Sequence, residues 1–166
     1  MQIMEATSRE DFDAARRLFR EYAAWLGIDL TFQGFKEEVA ALPGAYARPD
    51  GLLLLAEAGG TRIGCIGLRK IADSVGEIKR LYVMPAYRGR GIGRLLIERV
   101  IHEAPGIGYG RLRLDTIPRM EAARQLYATL GFQPIAPYYP TPVPHTEFME
   151  LVLTGNRIPP NFAGKP

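Results

Sequence analysis

A glycine-rich loop in the middle of the chain constrains the fold more than any other feature. The segment Arg88-Gly89-Arg90-Gly91-Ile92-Gly93 follows an alternating strand pattern and precedes helically spaced apolar residues. Closely spaced glycines predict a backbone that adopts positive φ. A helix that begins directly afterwards presents unpaired N–H groups and a partial positive charge. Strand, loop and helix in this order predict an anion site at the helix N-terminus. Arg88, Arg90 and Arg94 add positive charge around it.

The loop on its own is equally consistent with a tight turn. A dinucleotide site of the Rossmann type needs Gly-x-Gly-x-x-Gly after the first strand and an acidic residue about 20 positions later. This loop lies mid-chain and has a different spacing. A Walker loop ends in Gly-Lys-Ser or Gly-Lys-Thr, and no such ending is present here. The sequence therefore disfavours both common nucleotide-binding loops.

The pattern along the rest of the chain predicts the order β-α-α-β-β-β-α-β-α-β-β. We expect strands over about 3–6, 51–58, 62–71, 76–83, 109–115, from 132, and over 147–153. The first helix runs from an N-cap at Ser8 to Gly27, and the others cover 32–42, the segment after the loop, and 119–130. Consecutive early strands predict antiparallel pairing, and the later βαβα order predicts parallel neighbours. The fold class is therefore α/β with a mixed (α+β) sheet and helices on both faces.

Length and composition exclude several classes of protein. A chain of 166 residues fits one domain, which we place at residues 1–154, with an irregular tail over 155–166. The single cysteine, Cys65, excludes an internal disulfide or a cysteine zinc site, and its apolar surroundings predict a buried structural thiol. The N-terminus resembles no signal peptide and no apolar stretch reaches about 18–20 residues, so we expect a cytoplasmic protein without membrane contact. A net charge of +3 without a lysine-rich tail favours a local phosphate site over nucleic acid.

Two further segments give the loop a specific meaning. The strand Glu77-Ile78-Lys79-Arg80-Leu81-Tyr82-Val83-Met84-Pro85 leads into it, and Leu126-Tyr127-Ala128-Thr129-Leu130-Gly131-Phe132 follows later. In this order and spacing the motifs resemble those of the GNAT acyltransferase superfamily, most closely over 51–132 and in the manner of an uncharacterised bacterial subgroup. The resemblance implies the GNAT fold, a central sheet of six to seven strands that is splayed at a β-bulge, with helices on both faces.

The resemblance also implies acetyl-CoA, or another acyl-CoA, as cosubstrate and no metal. The splay would separate residues 77–83 from 109–115 and leave a V-shaped slot. The strand residues expected to contact the pantetheine arm and acyl group are Leu81, Tyr82 and Val83. The residues expected to hold the pyrophosphate are Arg88, Gly89, Arg90, Gly91, Ile92, Gly93 and Arg94.

The chemistry implied is that of an N-acetyltransferase, in which an amine attacks the thioester directly in a ternary complex. Tyr127 matches the family tyrosine that protonates the departing thiolate; core packing is the alternative. Glu77 is the candidate general base, with a strand-end ion pair to Lys79 or Arg80 as the alternative. Many members carry an asparagine at the position of Met120, and methionine cannot supply its hydrogen bonds. A non-catalytic acyl-CoA-binding sensor or interaction module therefore stays open as the alternative function.

The acceptor is expected between the first two helices and the last hairpin. Candidate contacts are Phe32, Tyr46, Arg80, Tyr138 and His145, with Phe35 and Tyr139 from the same regions, and packing is the alternative for each. Such a mouth suits a small amine or a peptide amine. Arg80 and Asp115 could hold charged substrate groups or pair with each other. The identity of the acceptor, the acyl length and the oligomeric state, including a homodimer, are left open.

Overall fold

Seven strands form one mixed sheet in the computed structural model, which describes residues 1–154. The predicted irregular tail lies outside the described residues. The strands are β1 (Gln2–Glu5), β2 (Leu52–Ala58), β3 (Thr61–Ala72), β4 (Val75–Val83), β5 (Arg111–Thr116), β6 (Gln133–Ile135) and β7 (Glu147–Val152). Their order across the sheet is β1-β2-β3-β4-β5-β7-β6. The pairing of β4 with β5 is parallel, and every other pairing in this sheet is antiparallel.

Four α-helices flank the sheet: α1 (Arg9–Leu26), α2 (Phe35–Ala41), α3 (Ile92–Ile107) and α4 (Glu121–Thr129). A capping box between Ser8 and Asp11 begins α1, and Gly27 ends it with φ 67°. The predicted helix over 32–42 is wrong at its start, because Gly34 has φ 66° and separates a short 3-10 turn from α2. Over residues 1–154, the helices lack the combined length and apolar character that a bilayer crossing requires.

The core has two layers, one on each face of the sheet. Alternation along β2 sends Leu54 to the layer under α3 and α4, and Leu53 and Leu55 to the layer under α1 and α2. Cys65 belongs to the second layer and is fully buried, and burial raises the pKa of its thiol. This agrees with a structural cysteine. Helices on both faces and a mixed sheet confirm the predicted architecture.

A β-bulge at Arg80 splays the sheet. Cys65 pairs with Tyr82 and Gly67 with Lys79, so three steps along β4 oppose two along β3. Arg80 is the extra residue of the bulge and has φ 60°. Beyond this point β4 leaves its neighbour: it pairs with β5 only from Val75 to Glu77. The predicted splay is therefore present, between the two expected strands.

The bulge also changes the face of the sheet on which the later side chains of β4 lie. Strict alternation would place Leu81 and Val83 on the same face as Glu77. In the structure both pack against the α3 layer, as Ile78 does. The extra residue in β4 reverses the alternation after Arg80, so the sequence pattern holds only up to the bulge.

Candidate active site

A cleft of about 380 Å³ lies against the end of β4 that no longer pairs with β5. Its walls come from the end of β4, the glycine-rich loop, the start of α3, the C-terminal part of α1 and the start of α4. The predicted cofactor residues that line it are Leu81, Tyr82, Val83, Arg88, Gly89, Gly91, Ile92, Gly93 and Arg94. Arg90 is the exception, because its guanidinium turns to the Ala86 carbonyl at 3.3 Å and lies over the Tyr87 ring.

One wall of the cleft is an open strand edge. The Met84 N–H donates to the Ile63 carbonyl of β3 at 2.9 Å, so the backbone of residue 84 faces β3. Because the backbone groups of successive residues point to opposite sides of a strand, those of Val83 and Leu81 face the gap. The Arg88 Nε confirms this orientation, since it donates to the Val83 carbonyl at 2.8 Å.

The other end of the cleft is the N-terminus of α3. Gly91 is the N-cap with φ 76°, no side chain caps the helix, and its first turn carries no acidic residue. The first N–H groups of α3 are therefore left without a side-chain acceptor. Gly89 also has φ 75°, and a Cβ at either glycine would meet open space. The glycines are needed here for their backbone conformation.

Cationic side chains surround an indole at the cleft. The Arg88 guanidinium lies 4.7 Å from the Trp25 ring centroid and 5.5 Å from that of Tyr82. Arg119 approaches the same Trp25 ring at 5.7 Å. Arg94 contacts Glu98 at 3.1 Å and the Thr129 hydroxyl at 3.2 Å.

Sequence reasoning missed two of these side chains as parts of the cleft. Helical spacing identifies Trp25 only as an apolar position of α1, and Arg119 only as the first residue of the helix predicted over 119–130. Both are brought to the gap by tertiary packing of α1 against the turn before α4. No local pattern in the sequence signals that contact.

Tyr127 lines neither this cleft nor the smaller pocket described below, although Ala123 and Leu126 of the same helix line the cleft. It is 3% exposed, and its ring packs against Phe132 with centroids 5.8 Å apart. Burial, with smaller effects from Tyr22 and Asp115, raises the pKa of the Tyr127 hydroxyl. The hydroxyl therefore stays protonated at neutral pH and can donate a hydrogen bond.

The Glu77 carboxylate is hydrogen-bonded by neighbouring side chains. It is 2% exposed and accepts from Arg69 Nε at 2.9 Å and from the Tyr138 hydroxyl at 2.6 Å. Its partners thus differ from Lys79 and Arg80, the two suggested by sequence, and Glu77 lines neither this cleft nor the pocket described next. Its role as base stays a prediction.

A second, smaller pocket of about 30 Å³ adjoins the cleft at Met120, which lines both. At its polar end Lys79 Nζ lies 3.3 Å from an Asp115 oxygen, and the Tyr139 hydroxyl donates to the other at 2.5 Å. Burial raises the pKa of Asp115, but Lys79 and the Tyr139 hydrogen bond lower it more, and the net shift is downward. Thr116 follows Asp115 in β5 and is also among the lining residues, and its buried hydroxyl has no hydrogen-bond partner among residues 1–154.

Arg80 holds the bulge to α2. Its guanidinium donates to both Glu38 oxygens, at 2.9 and 3.1 Å, and to the Gln33 side chain at 2.9 Å. The sequence left open whether Arg80 pairs with Asp115. The structure separates them: Arg80 pairs with Glu38 and Asp115 with Lys79.

Comparison with known proteins places the chain in a family. The model of the acetyltransferase (GNAT) family matches residues 5–132. The chain belongs to the GNAT acetyltransferase family. An uncharacterized N-acetyltransferase of Schizosaccharomyces pombe is 35% identical over 147 residues, which are 87% of this chain and 90% of that protein. An IAA acetyltransferase of Azospirillum brasilense is 38% identical over 64% of this chain and 71% of that protein.

Solved structures share the fold of this GNAT protein. A GNAT-family acetyltransferase of Staphylococcus aureus superposes with a TM-score of 0.76 at 22% identity, covering 92% of this chain and 99% of that one. The PaiA N-acetyltransferase of Thermoplasma acidophilum, solved in complex with coenzyme A, gives 0.71 at 24% identity, with 92% and 99% coverage. At these identities the likeness supports the fold alone.

The predicted acceptor residues of this GNAT protein fall in different places. Phe32 and Arg80 line the second pocket. Tyr46 is 2% exposed and packs against Phe19 in the core, outside both cavities. Tyr138 bonds to Glu77. His145 is exposed, with φ 59°, and lines neither cavity.

Proposed function

We propose that this GNAT protein transfers the acetyl group of acetyl-CoA to the amine of a small molecule or peptide, by direct attack in a ternary complex. The observation that carries the proposal is the cleft itself. An open strand edge at Leu81 and Val83 leads to the uncapped N-terminus of α3. The names of the S. pombe and other relatives, which are N-acetyltransferases, support transfer to nitrogen.

The two ends of the cleft fit the two chemical parts of coenzyme A. The pantetheine arm carries amides, which an open strand edge can pair as it pairs another strand. The pyrophosphate is an anion, which the free N–H groups after Gly91 and the positive end of the helix dipole favour. Because the Arg88 guanidinium already bonds to the Val83 carbonyl, a bound cosubstrate competes with Arg88 for that acceptor.

The reaction needs few groups from the protein. The neutral amine attacks the thioester carbonyl, a C–N bond forms, the C–S bond breaks, and the amine proton leaves to a base or solvent. The departing sulfur takes up a proton, so the products are an amide and a free thiol. Tyr127, whose hydroxyl pKa burial raises, is the proposed donor to sulfur.

Binding can be tested apart from transfer because the chain contains a single tryptophan, Trp25, and it lines the cleft. We expect acetyl-CoA to change Trp25 fluorescence saturably, and amine-dependent release of free thiol to report transfer. Replacing Tyr127 with phenylalanine should lower transfer by on the order of 100-fold and leave the fluorescence titration unchanged.

A matched control is Tyr109→Phe, because that hydroxyl bonds to the Asp50 carbonyl and lies outside both cavities. It should leave the turnover number unchanged. Fluorescence binding without thiol release for any amine or peptide in a broad panel would instead support the sensor alternative. Full transfer by the Tyr127→Phe protein would remove Tyr127 from the mechanism.

A further inference from the structure

The second pocket continues the line of the cleft along β4. Residues 81–83 of β4 line the cleft, and Lys79 and Arg80, directly before them, line the pocket. We propose above that the pantetheine arm runs from the glycine-rich loop back along 81–83, so its acyl end points towards the pocket. An acceptor amine on this side would meet the thioester by way of the pocket. The following inference rests on that proposed function and concerns how the acceptor enters.

The pocket is closed to any molecule much larger than water. Its volume of about 30 Å³ is roughly the space of one water molecule in the liquid, so a wall must move before an amine with a carbon skeleton can enter. The walls from α1, β4 and β5 belong to regular elements with their own backbone hydrogen bonds. The α1–α2 connection is held by Leu30, which is 5% exposed, and by Gln33, which accepts from Arg80 at 2.9 Å. The remaining wall is formed by residues 141–146.

This last wall is part of the β6–β7 loop, residues 136–146. Its two ends meet at the Ile135–Phe148 pair of the β6–β7 hairpin. Within residues 1–154, no backbone hydrogen bond joins the loop to a residue outside it. Four of its eleven residues are proline, which fixes φ and favours movement of the loop as a unit. The loop is therefore a flap that hinges on the hairpin.

Two tyrosine hydroxyls fasten the β6–β7 loop to the sheet. Tyr138 donates to Glu77 of β4 at 2.6 Å, and Tyr139 donates to Asp115 of β5 at 2.5 Å. Both rings also pack against Phe148 at the base of the loop, with centroids 5.1 Å apart. The loop is thus held across the gap between β4 and β5 by one hydrogen bond on each side.

Release of the two tyrosines leaves no buried charge without a partner. Glu77 keeps Arg69 at 2.8 Å, and Asp115 keeps Lys79 at 3.3 Å. The tyrosines themselves are half-buried, so their hydroxyls can exchange a carboxylate for water. Opening therefore breaks hydrogen bonds but no ion pair, and the equilibrium between closed and open loop is set largely by these two bonds.

We propose that residues 136–146 form a lid over the second pocket, which Tyr138 and Tyr139 latch shut in the resting protein and which the acceptor displaces as it enters. Because an acceptor binds only the open form, its apparent affinity is reduced by the fraction of the protein that is open. Weakening the latch should therefore improve acceptor binding. A residue that only supports the fold would have the opposite effect.

Lid opening can be measured by thiol labelling, which needs no acceptor. Val143 lines the pocket from the lid, so Val143→Cys places a thiol there, while the native Cys65 is fully buried. We expect Ellman's reagent to label this thiol of the full-length protein more slowly than it labels glutathione. Tyr138→Phe and Tyr139→Phe, each combined with Val143→Cys, should raise the rate about tenfold, the loss of one hydrogen bond. The double latch variant should exceed both.

The matched control is Tyr109→Phe, which removes a tyrosine hydroxyl that bonds to the Asp50 carbonyl, away from the lid and both cavities. It should label at the parent rate. Phenylalanine keeps the ring contacts at positions 138 and 139, and urea unfolding checks that the latch variants remain folded. A parent labelling rate in the latch variants, or a thiol at position 143 as reactive as glutathione without them, would overturn the lid.

The acceptor side is tested with phenethylamine, spermidine and an alanine peptide as probes. For whichever of them is acetylated, Tyr138→Phe/Tyr139→Phe should lower KM by about tenfold or more, because a larger fraction of the protein is open. The Trp25 fluorescence titration should report unchanged acetyl-CoA affinity. Faster labelling combined with an unchanged or higher KM would overturn the lid as the entrance for the acceptor.

The labelling assay also separates this inference from the proposed function. Labelling that the latch variants accelerate supports the lid even if none of the probes is acetylated, in which case the proposed function fails alone. Acetyl transfer combined with labelling that ignores both tyrosines supports the function and removes the lid.

Discussion

The buried ion pair at the β-bulge gives the sharpest stability prediction. Arg80 and Glu38 are joined by two hydrogen bonds, and their side chains are 2% and 10% exposed. Burial lowers the pKa of Arg80, but Glu38 raises it more, so the guanidinium cannot escape an unfavourable site by losing its proton. Glu38→Gln keeps the shape and leaves a buried cation without its counter-ion. Removing one partner of a buried pair costs about 3–5 kcal/mol.

We expect a loss near the lower limit, about 3 kcal/mol, because Gln33 still accepts from Arg80. This corresponds to a fall in Tm of roughly 6–12 °C for a chain of this size. The assay is urea unfolding of four proteins: the parent, Glu38→Gln, Arg80→Met and the double variant. Methionine, like arginine, carries a Cβ, so a positive φ at position 80 strains both side chains to a similar degree, and the double variant is compared with Arg80→Met on the same backbone.

The double variant should recover much of the loss, because it removes both charges together. A Glu38→Gln protein within 1 kcal/mol of the parent would refute the reasoning. So would a double variant whose loss equals the sum of the single losses within about 0.5 kcal/mol, since that is the behaviour of uncoupled sites.

Two more predictions concern the ends of helices. Burial raises the pKa of Asp11, but hydrogen bonds from the Thr7 N–H and Arg62 lower it to about 2. The stability that this lowered pKa contributes is fully present above the pKa of the unfolded chain, near 3.9, and is lost as the pH falls towards 2. The parent should therefore exceed Asp11→Asn by about 2 kcal/mol in urea unfolding at pH 7, and a gap that stays constant down to pH 2 would contradict the assignment. Gly91→Ala should weaken acetyl-CoA binding in the Trp25 fluorescence titration, because alanine disfavours φ 76° at the N-cap of α3. The control Gly106→Ala, at an open site near the end of α3, should bind acetyl-CoA normally. Equal affinity of the two variants would exclude the N-cap from the site.

The sequence predicted the order of elements well because most boundaries are set by local chemistry. Ser8 with Asp11 begins α1, Gly27 ends it, and the two glycines at 59 and 60 turn the β2–β3 hairpin. The same is true of the cofactor cleft, since the strand, the loop and the start of α3 are contiguous in the chain. Contacts between distant segments carry no such signal. The position of Trp25 in the cleft follows from packing alone. Glu77 pairs with Arg69 because the two residues lie opposite each other in the β3–β4 hairpin, a register that the sequence did not specify.

The bulge shows why side-chain direction was harder to predict than secondary structure. Residues 76–83 are all in a strand, as expected, but one extra residue at Arg80 reverses the faces of those that follow. A positive φ at an arginine is set by its surroundings, here Glu38 and Gln33 from another part of the chain. Alternation alone could not locate it.

Because β4 and β5 pair over only a short stretch, the sheet consists of two parts that are joined by few strand pairs. Strands β1 to β4 form one half-sheet and β5, β7 and β6 the other. Within residues 1–154, strand pairing between the halves is confined to Val75, Gly76 and Glu77 of β4, next to the Ser74 carbonyl, which accepts from the N–H groups of Gly110 and Arg111. Across the rest of the gap the halves are tied by side chains, Glu77 to Tyr138 and Lys79 to Asp115. A bend about this joint changes the width of the cleft without breaking a strand pair inside either half. The joint is thus the place where bending would disturb the fewest strand pairs, and it would change the distance between β4 and β5 at the end where the glycine-rich loop begins.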